Sequence, residues 1–463
     1  MLTISFSPHG GPLYAQLYAA LVEELRQGRV RAGERLPSKR ALAAHLRVSL
    51  NTVDAAYQML VSEGYLEARP RSGYFACPIE CALPAPTPAP ALPEKAQENA
   101  SPVRFDLTTR SVDTAFFPFK TWAKLSREVL SGGAALLNHG EEGGDACLRR
   151  AVARYLHEFR GVRCDASQIF LGAGTEYLLG LLAPLLGDGA VAVEDPGYPK
   201  TAAVLRNCGA RIEHIPVDDR GLSVAALRES GCCAAYVTPS HQFPTGVTMP
   251  IGRRAELLRW ASEAEGRYIL EDDYDSEFRF DGRPIPAMQG LDEQGRVVYF
   301  STFSRALAPS MRIAYMVLPP ALLRRFRARY GAYASTVSRF EQHTLARFLD
   351  EGHFARHLNR VRNVYRGRKD ALAAALLREF PAESVEICCP NTGLHLPVRV
   401  SVGRDEDELV RRAAAADVRL TALSRYEHTP RRHTPTLILG YSALTADELR
   451  DAARTLARAF CRA

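Results

Sequence analysis

The sequence predicts two folded parts of different class. Residues 1–78 form a small α+β unit, three helices closed by a β-hairpin, and residues 104–463 form a larger α/β body. The body has a mostly parallel sheet and a smaller α/β lobe toward its C-terminal end. Three observations predict this. Near the N-terminus apolar residues recur at three- and four-residue steps, which is helix spacing. Residues 79–103 carry Pro84, Pro86, Pro88, Pro90 and Pro93 among small residues, the composition of an extended linker. Beyond Phe105 short apolar runs alternate with helical stretches, as in a parallel sheet wrapped by helices. At 463 residues the chain exceeds what one small core supports.

Leu13, Leu17, Leu21, Val22 and Leu25 make one apolar face of a first helix, and Gly28 and Gly33 end it and shape a turn. Ser38, after Pro37, is placed to cap a short helix that buries Leu42, Ala43 and Leu46. Ser49 caps a third, with Val53, Ala56, Tyr57 and Leu60 inward and Gly64 at its end. Residues 65–69, 70–73 and 74–76 then read as strand, turn and strand. Three helices followed by a hairpin make a winged helix-turn-helix. In the body the strands are expected at Ile169–Leu171, Ala190–Val193, Ala234–Val237, Tyr268–Leu270 and Val297–Phe300. A site at their ends follows from that topology. The smaller lobe is expected over about 325–463.

Composition excludes several classes. Hydrophobic content of 46% and charge of 24% are those of a globular protein. No apolar run reaches the ~18 residues of a membrane helix. The start, MLTISFSPHGG, lacks the basic and apolar regions of a secretory signal. The ten cysteines show no metal-ligand spacing, so no metal site is expected. These features imply a cytoplasmic protein with reduced thiols and no membrane partner. The net charge of +7 is mild, but its placement is informative. Between Arg26 and Arg47 seven basic residues (Arg26, Arg29, Arg31, Arg35, Lys39, Arg40, Arg47) face one acid, Glu34. Such a set neutralises DNA phosphates. Charge alone favours a solvated helical surface.

Motifs separate the two. Leu13-Tyr14-Ala15-Gln16-Leu17, Gly33-Glu34-Arg35-Leu36-Pro37-Ser38-Lys39-Arg40, Val48-Ser49-Leu50-Asn51-Thr52-Val53 and Glu63-Gly64-Tyr65-Leu66 resemble the GntR family of bacterial transcription regulators. The resemblance implies a double-stranded DNA partner. It places DNA contacts at Arg40 and at Ser49, Asn51 and Thr52 on the helix expected in the major groove; Ser38 and Lys39 beside Arg40, and Arg69 and Arg71 on the wing, are further candidates. One position departs: the family usually has arginine where this chain has Leu50.

The body from about residue 105 resembles the fold-type I aminotransferases, and the whole chain resembles the MocR/GabR subfamily of GntR regulators. Gly172-Ala173-Gly174-Thr175-Glu176 follows a strand and opens a helix, a cradle for phosphate. Glu271-Asp272-Asp273-Tyr274-Asp275 and Ser240-His241-Gln242-Phe243-Pro244-Thr245-Gly246 match subfamily signatures. The resemblance implies a pyridoxal 5'-phosphate (PLP) site. Asp272 would face the ring nitrogen, Tyr274 the phenolic oxygen, and Tyr198 would lie over the ring. Gly174, Thr175, Thr302, Ser304 and Arg312 would hold the phosphate. Phe243 stands where ordinary aminotransferases have asparagine.

Two positions depart from a working enzyme. In Thr302-Phe303-Ser304-Arg305 the family's Schiff-base lysine is replaced by Arg305. Only six residues of the chain are lysine, so drift to arginine is a bland account. It fails here, because a guanidinium stays protonated and is no amine nucleophile. The last strand, Thr436-Leu437-Ile438-Leu439-Gly440, has Ile438 where catalytic relatives clamp the substrate carboxylate with arginine. Lys200 and Arg425 are alternative cations for an acidic effector; each is otherwise a surface charge. The expected function is a homodimeric, DNA-binding transcription regulator whose body senses a small molecule without turnover. Any PLP is held without a covalent bond, and the site has no catalytic residue. The competing reading is an active PLP-dependent aminotransferase.

Overall fold

The structure, a computed structural model, describes residues 6, 11–78, 103–109, 112–280, 285–389 and 393–461. The proline-rich linker expected at 79–103 lies outside them except for Val103. The chain divides into two compact units, Met1–Asn99 and Ala100–Ala463.

The first unit holds helices Leu13–Arg26, Lys39–Leu46 and Leu50–Ser62, then strands Leu66–Arg69 and Gly73–Ala76. Leu17, Leu21, Val53, Ala56, Tyr57 and Leu60 are fully buried and knit the helices together. Both expected caps form: Ser38 accepts the Ala41 N–H at 3.2 Å and Ser49 that of Thr52 at 3.1 Å. Each satisfies a backbone donor that the helix start leaves free. The strands pair antiparallel, Leu66 opposite Ala76. Sequence reading missed a third element of this wing, an antiparallel bridge from Arg35 to Phe75. A single extended residue gives no periodicity to read.

The second unit is built on an eight-stranded sheet. In spatial order its strands are Ile169–Gly172, Ala314–Val317, Val297–Thr302, Tyr268–Asp272, Ala234–Val237, Val191–Asp195, Ile212–Asp218 and Gly221–Leu222. Ala314–Val317 runs antiparallel to both neighbours, and pairing from Val297–Thr302 through Ile212–Asp218 is parallel. The larger strands are buried along their length, as both faces of such a sheet are covered by helices. Ile212–Asp218 was not expected from sequence; its half-exposed, mixed composition hides it.

The smaller lobe carries the antiparallel sheet Val385–Ile387, His395–Val400, Thr436–Gly440 and Thr421–Ala422. Helices His353–Glu379 and Ala446–Cys461 pack on it. This lobe is not one stretch of sequence. Phe105–Asp106 pairs with Val418–Arg419, and Phe105 and Leu107 are buried in the lobe's core. The segment that opens the body therefore crosses into its far end. No described helix is long and apolar enough to cross a membrane.

Candidate functional site

Because Ala314–Val317 alone of the long strands runs backwards, the carboxyl ends of the others open on one side. Ile169–Gly172 lies at one edge while the next strand in sequence, Val191–Asp195, sits far across the sheet. Ligands bind where strand order reverses in this way. A cavity of about 690 Å³ lies there. The large part of the body lines it with Gly174, Thr175, Tyr198, Lys200, Asp272 and Tyr274, with Thr302 at the end of the strand Val297–Thr302, and with Ser304, Arg305 and Arg312 after it. The smaller lobe adds Thr421, Arg425 and Tyr426, and the opening segment adds Thr108 and Thr109. The fold thus gathers the expected cofactor and effector residues around one space.

At one end is an anion cradle. Gly174 precedes the helix Thr175–Leu182 with φ +102°. A side chain there is strained, and its Cβ would come 2.2 Å from Arg312 Nη2. Arg312 donates to the Ala173 carbonyl at 3.1 Å and to Glu176 Oε2 at 3.0 Å. Thr302 Oγ1 lies 2.9 Å from Ser304 Oγ. Lys200 also donates to Glu176. Burial alone would raise the Glu176 carboxyl, but Lys200 and Arg312 outweigh it and hold it at about 2. Two cations and a helix N-terminus therefore converge, with an internal carboxylate between them.

At the other end is Asp272. It is buried, with Tyr236 donating to Oδ2 and no hydrogen-bond partner for Oδ1. Burial pushes its carboxyl up to about 7, against the Tyr236 hydrogen bond. Its neighbour Asp273 differs. Burial would raise it too, but Arg160 at 2.7 Å and the Tyr299 hydroxyl at 2.6 Å hold it below the usual carboxylate range. Adjacent residues alternate faces of a strand. Asp273 Oδ2 is held by Arg160 and Tyr299, while Asp272 lines the cavity with its Oδ1 unpartnered among the described residues.

Aromatic rings wall the space between. Phe243 meets Tyr198 edge-on at 5.6 Å and Tyr426 at 4.9 Å. Tyr198 is 49% exposed, so one face is open to the cavity. Burial, then the Asp275 charge, push the Tyr274 phenol well above its ordinary range, so it keeps its proton. Arg305 donates from Nη1 to the Thr109 carbonyl at 2.6 Å. Lys200 is the one lysine among the described residues lining the cavity, and its ammonium is on Glu176. Arg425 makes no hydrogen bond or ion pair with any described residue, whereas Lys200, Arg305 and Arg312 each have an acceptor. Ile438 is buried in its strand and does not line the cavity.

Sequence reasoning gave no role to Glu176, Tyr236 or Thr109. Two signals were present. Tyr236 is a hydroxyl in an otherwise apolar strand, and Glu176 is an acid where a phosphate cradle should hold none. Thr109 gave no signal, because its contribution is a main-chain carbonyl.

In the first unit, Arg40, Asn51, Arg69 and Arg71 are exposed. Arg40 and Arg71 have no hydrogen bond or ion pair among the described residues. Lys39 is paired with Asp54 at 2.5 Å and Arg69 with Glu67 at 2.9 Å. The Ser38 and Ser49 hydroxyls serve as caps, and Thr52 Oγ1 lies 2.8 Å from Ser49 Oγ. Leu50 is 46% exposed at the start of its helix, facing no core.

Comparison with known proteins defines the class. Residues 13–75 match the bacterial regulatory proteins of the gntR family, and residues 109–432 match aminotransferase class I and II. The chain belongs to these two families in its two parts, which makes it a GntR-type DNA-binding transcription regulator with an aminotransferase-like body. More particularly, it is 35% identical to a probable rhizopine catabolism regulatory protein, MocR, of Rhizobium meliloti, over 97% of this chain and 94% of that one. It is 38% identical to YdeL, an uncharacterised HTH-type transcriptional regulator of Bacillus subtilis, over 97% of each. The pyridoxine biosynthesis regulator PdxR of Corynebacterium glutamicum is 31% identical, over 92% of this chain and 91% of that one. Among solved structures, a kynurenine aminotransferase of Pyrococcus horikoshii superposes with a TM-score of 0.69 at 27% identity, covering 78% of this chain and 91% of that one.

Proposed function

We propose that the aminotransferase-like body is a ligand sensor that holds a PLP-type anion without a covalent bond, performs no turnover, and couples the bound state to DNA reading by a homodimer. The observation that carries this is the composition of the cavity. An unpartnered buried carboxylate oxygen and an anion cradle are present together, and the one lysine among the described residues lining the cavity is tied to Glu176. The residues fit PLP. Asp272 Oδ1 would accept from the ring nitrogen, Tyr274 would donate to the phenolic oxygen, and Tyr198 would cover the ring. Gly174, Thr175, Thr302, Ser304 and Arg312 would hold the phosphate, which would take over the cations that Glu176 now neutralises. Bound PLP supplies an electron-withdrawing pyridinium. Arg305 supplies a guanidinium hydrogen-bond donor, not an amine nucleophile. Arg425, which has no acceptor among the described residues, is suited to an effector carboxylate, with Lys200 as a second contact.

In the head, Arg40 and Arg71 are exposed cations without a hydrogen bond or ion pair among the described residues, and Asn51 stands exposed on the third helix. Lys39 and Arg69 reach phosphates only by exchanging Asp54 and Glu67 for them. Fluorescence anisotropy of the full chain on duplex DNA from its own promoter region, with and without PLP, tests the coupling. The reading expects an affinity change on PLP addition that reverses when PLP is removed. DNA binding that never responds to PLP or amino acids contradicts it, as does amino-donor turnover above background.

A further inference from the structure

Beside the cavity lies a buried pair, His241 and Asp275, that the proposed function does not use. His241 Nδ1 is 2.9 Å from Asp275 Oδ2 and 2.9 Å from the Tyr274 hydroxyl. His241 and Asp275 are each 2% exposed, and His241 Nε2 has no partner. The backbone at Gly393 presses on the ring, since a Cβ there would fall 1.7 Å from His241 Cε1. The imidazole is therefore held in one orientation.

The hydrogen-bond inventory then sets the direction of each proton. With Asp275 Oδ2 as the acceptor, His241 Nδ1 carries the hydrogen between them. A protonated Nδ1 cannot also accept from Tyr274. The Tyr274 oxygen becomes a second acceptor of the same N–H, and its own hydrogen is left for the cavity it lines. His395, whose ring centre is 4.7 Å away, donates from Nε2 to the Pro244 carbonyl at 3.0 Å. Burial and the neighbouring His241 push it well below the ordinary histidine range, so it stays neutral and adds no competing charge.

We infer that the buried His241–Asp275 pair is a positioning device that turns the Tyr274 hydroxyl into a donor toward the cavity, and thereby selects ligands presenting an acceptor oxygen at that point. This rests on the cavity being a ligand site, but the proton arrangement is a property of the ligand-free protein. The converse arrangement, with Nδ1 bare, would aim the tyrosine hydrogen at the histidine and leave the cavity without a donor.

The first test uses no ligand. Long-range nitrogen–proton NMR of the full chain with labelled histidine, assigned through the His241→Asn spectrum, should show His241 protonated at Nδ1 and bare at Nε2. The opposite tautomer overturns the inference. The second test measures PLP affinity against that of the analogue lacking the phenolic oxygen. Tyr274→Phe should weaken PLP about tenfold, the effect of one hydrogen bond. His241→Leu should do the same, and the double variant should cost no more than either. His241→Asn, whose amide can donate from the place of Nδ1, should restore most of the affinity. None of these changes should matter for the analogue. Additive losses, or equal losses for the analogue, overturn the inference. If His241→Leu does not fold, the tautomer and the asparagine variant still decide. If the protein binds no PLP, the functional reading fails while the tautomer measurement stands on its own.

Discussion

Asp272→Asn separates what the site costs the fold from what it does for a ligand. Burial raises this carboxyl from 3.8 to about 7. One pKa unit is about 1.4 kcal/mol, so the penalty has a ceiling of about 4 kcal/mol. The sign follows from proton counts. Between about pH 4 and 7 the native state holds a proton that the unfolded chain has lost, so stability falls as pH rises through that window. The cost is absent below it and complete above it. Asparagine cannot ionise, yet it still offers an oxygen to the Tyr236 hydroxyl. In thermal melts of the ligand-free protein, Asp272→Asn should raise the transition of the body at about pH 8 and leave it nearly unchanged at about pH 4. The same variant should weaken PLP roughly tenfold to a hundredfold, because a charge-assisted hydrogen bond to the ring nitrogen is lost. A variant less stable than the parent at about pH 8 that binds PLP normally would refute the reasoning.

Three further substitutions probe the other parts. Gly174→Ala places a methyl group 2.2 Å from the Arg312 guanidinium at a φ of +102°, and should abolish PLP binding measured by absorbance while the body still melts cooperatively. Arg40→Ala should weaken operator binding and lower the slope of log affinity against log salt by about one, because one phosphate contact is removed; an unchanged slope counts against that contact. Ser49→Ala removes the cap of the third helix and should destabilise the DNA-binding unit by about 1 kcal/mol in denaturant melts, leaving PLP affinity untouched.

What was legible in the sequence follows its local physics. Helix periodicity, the Ser38 and Ser49 caps and the turn glycines are short-range signals, so the DNA-binding unit was readable nearly element by element. The apolar strands at Ile169, Ala234, Tyr268 and Val297 were readable because both sheet faces are covered. Ile212–Asp218 was not, since its half-exposed, mixed composition carries no distinctive pattern; Ala314–Val317, an equally apolar and buried run, was not singled out either. The small lobe could not be bounded, because Phe105–Asp106 joins it from across some 300 residues of sequence through backbone pairing alone. At the site, motif residues from Gly174 to Arg425 proved to line one cavity. Their pairing was invisible. Nothing in the sequence said that Glu176 would neutralise Arg312 and Lys200, that Thr109 would receive Arg305, or that Arg160 would pair with Asp273 and Tyr236 with one oxygen of Asp272. Those partners meet only through tertiary structure.

The central claim is that the cavity holds its ligand without a lysine. An absorption titration of the purified chain with PLP, followed by borohydride and removal of free ligand, tests it most directly, with Arg305→Lys measured in parallel. The account predicts saturable binding by the parent with no Schiff-base band and no retained label after reduction, and a Schiff-base band that borohydride locks in place in Arg305→Lys. A band in the parent that survives reduction would contradict it.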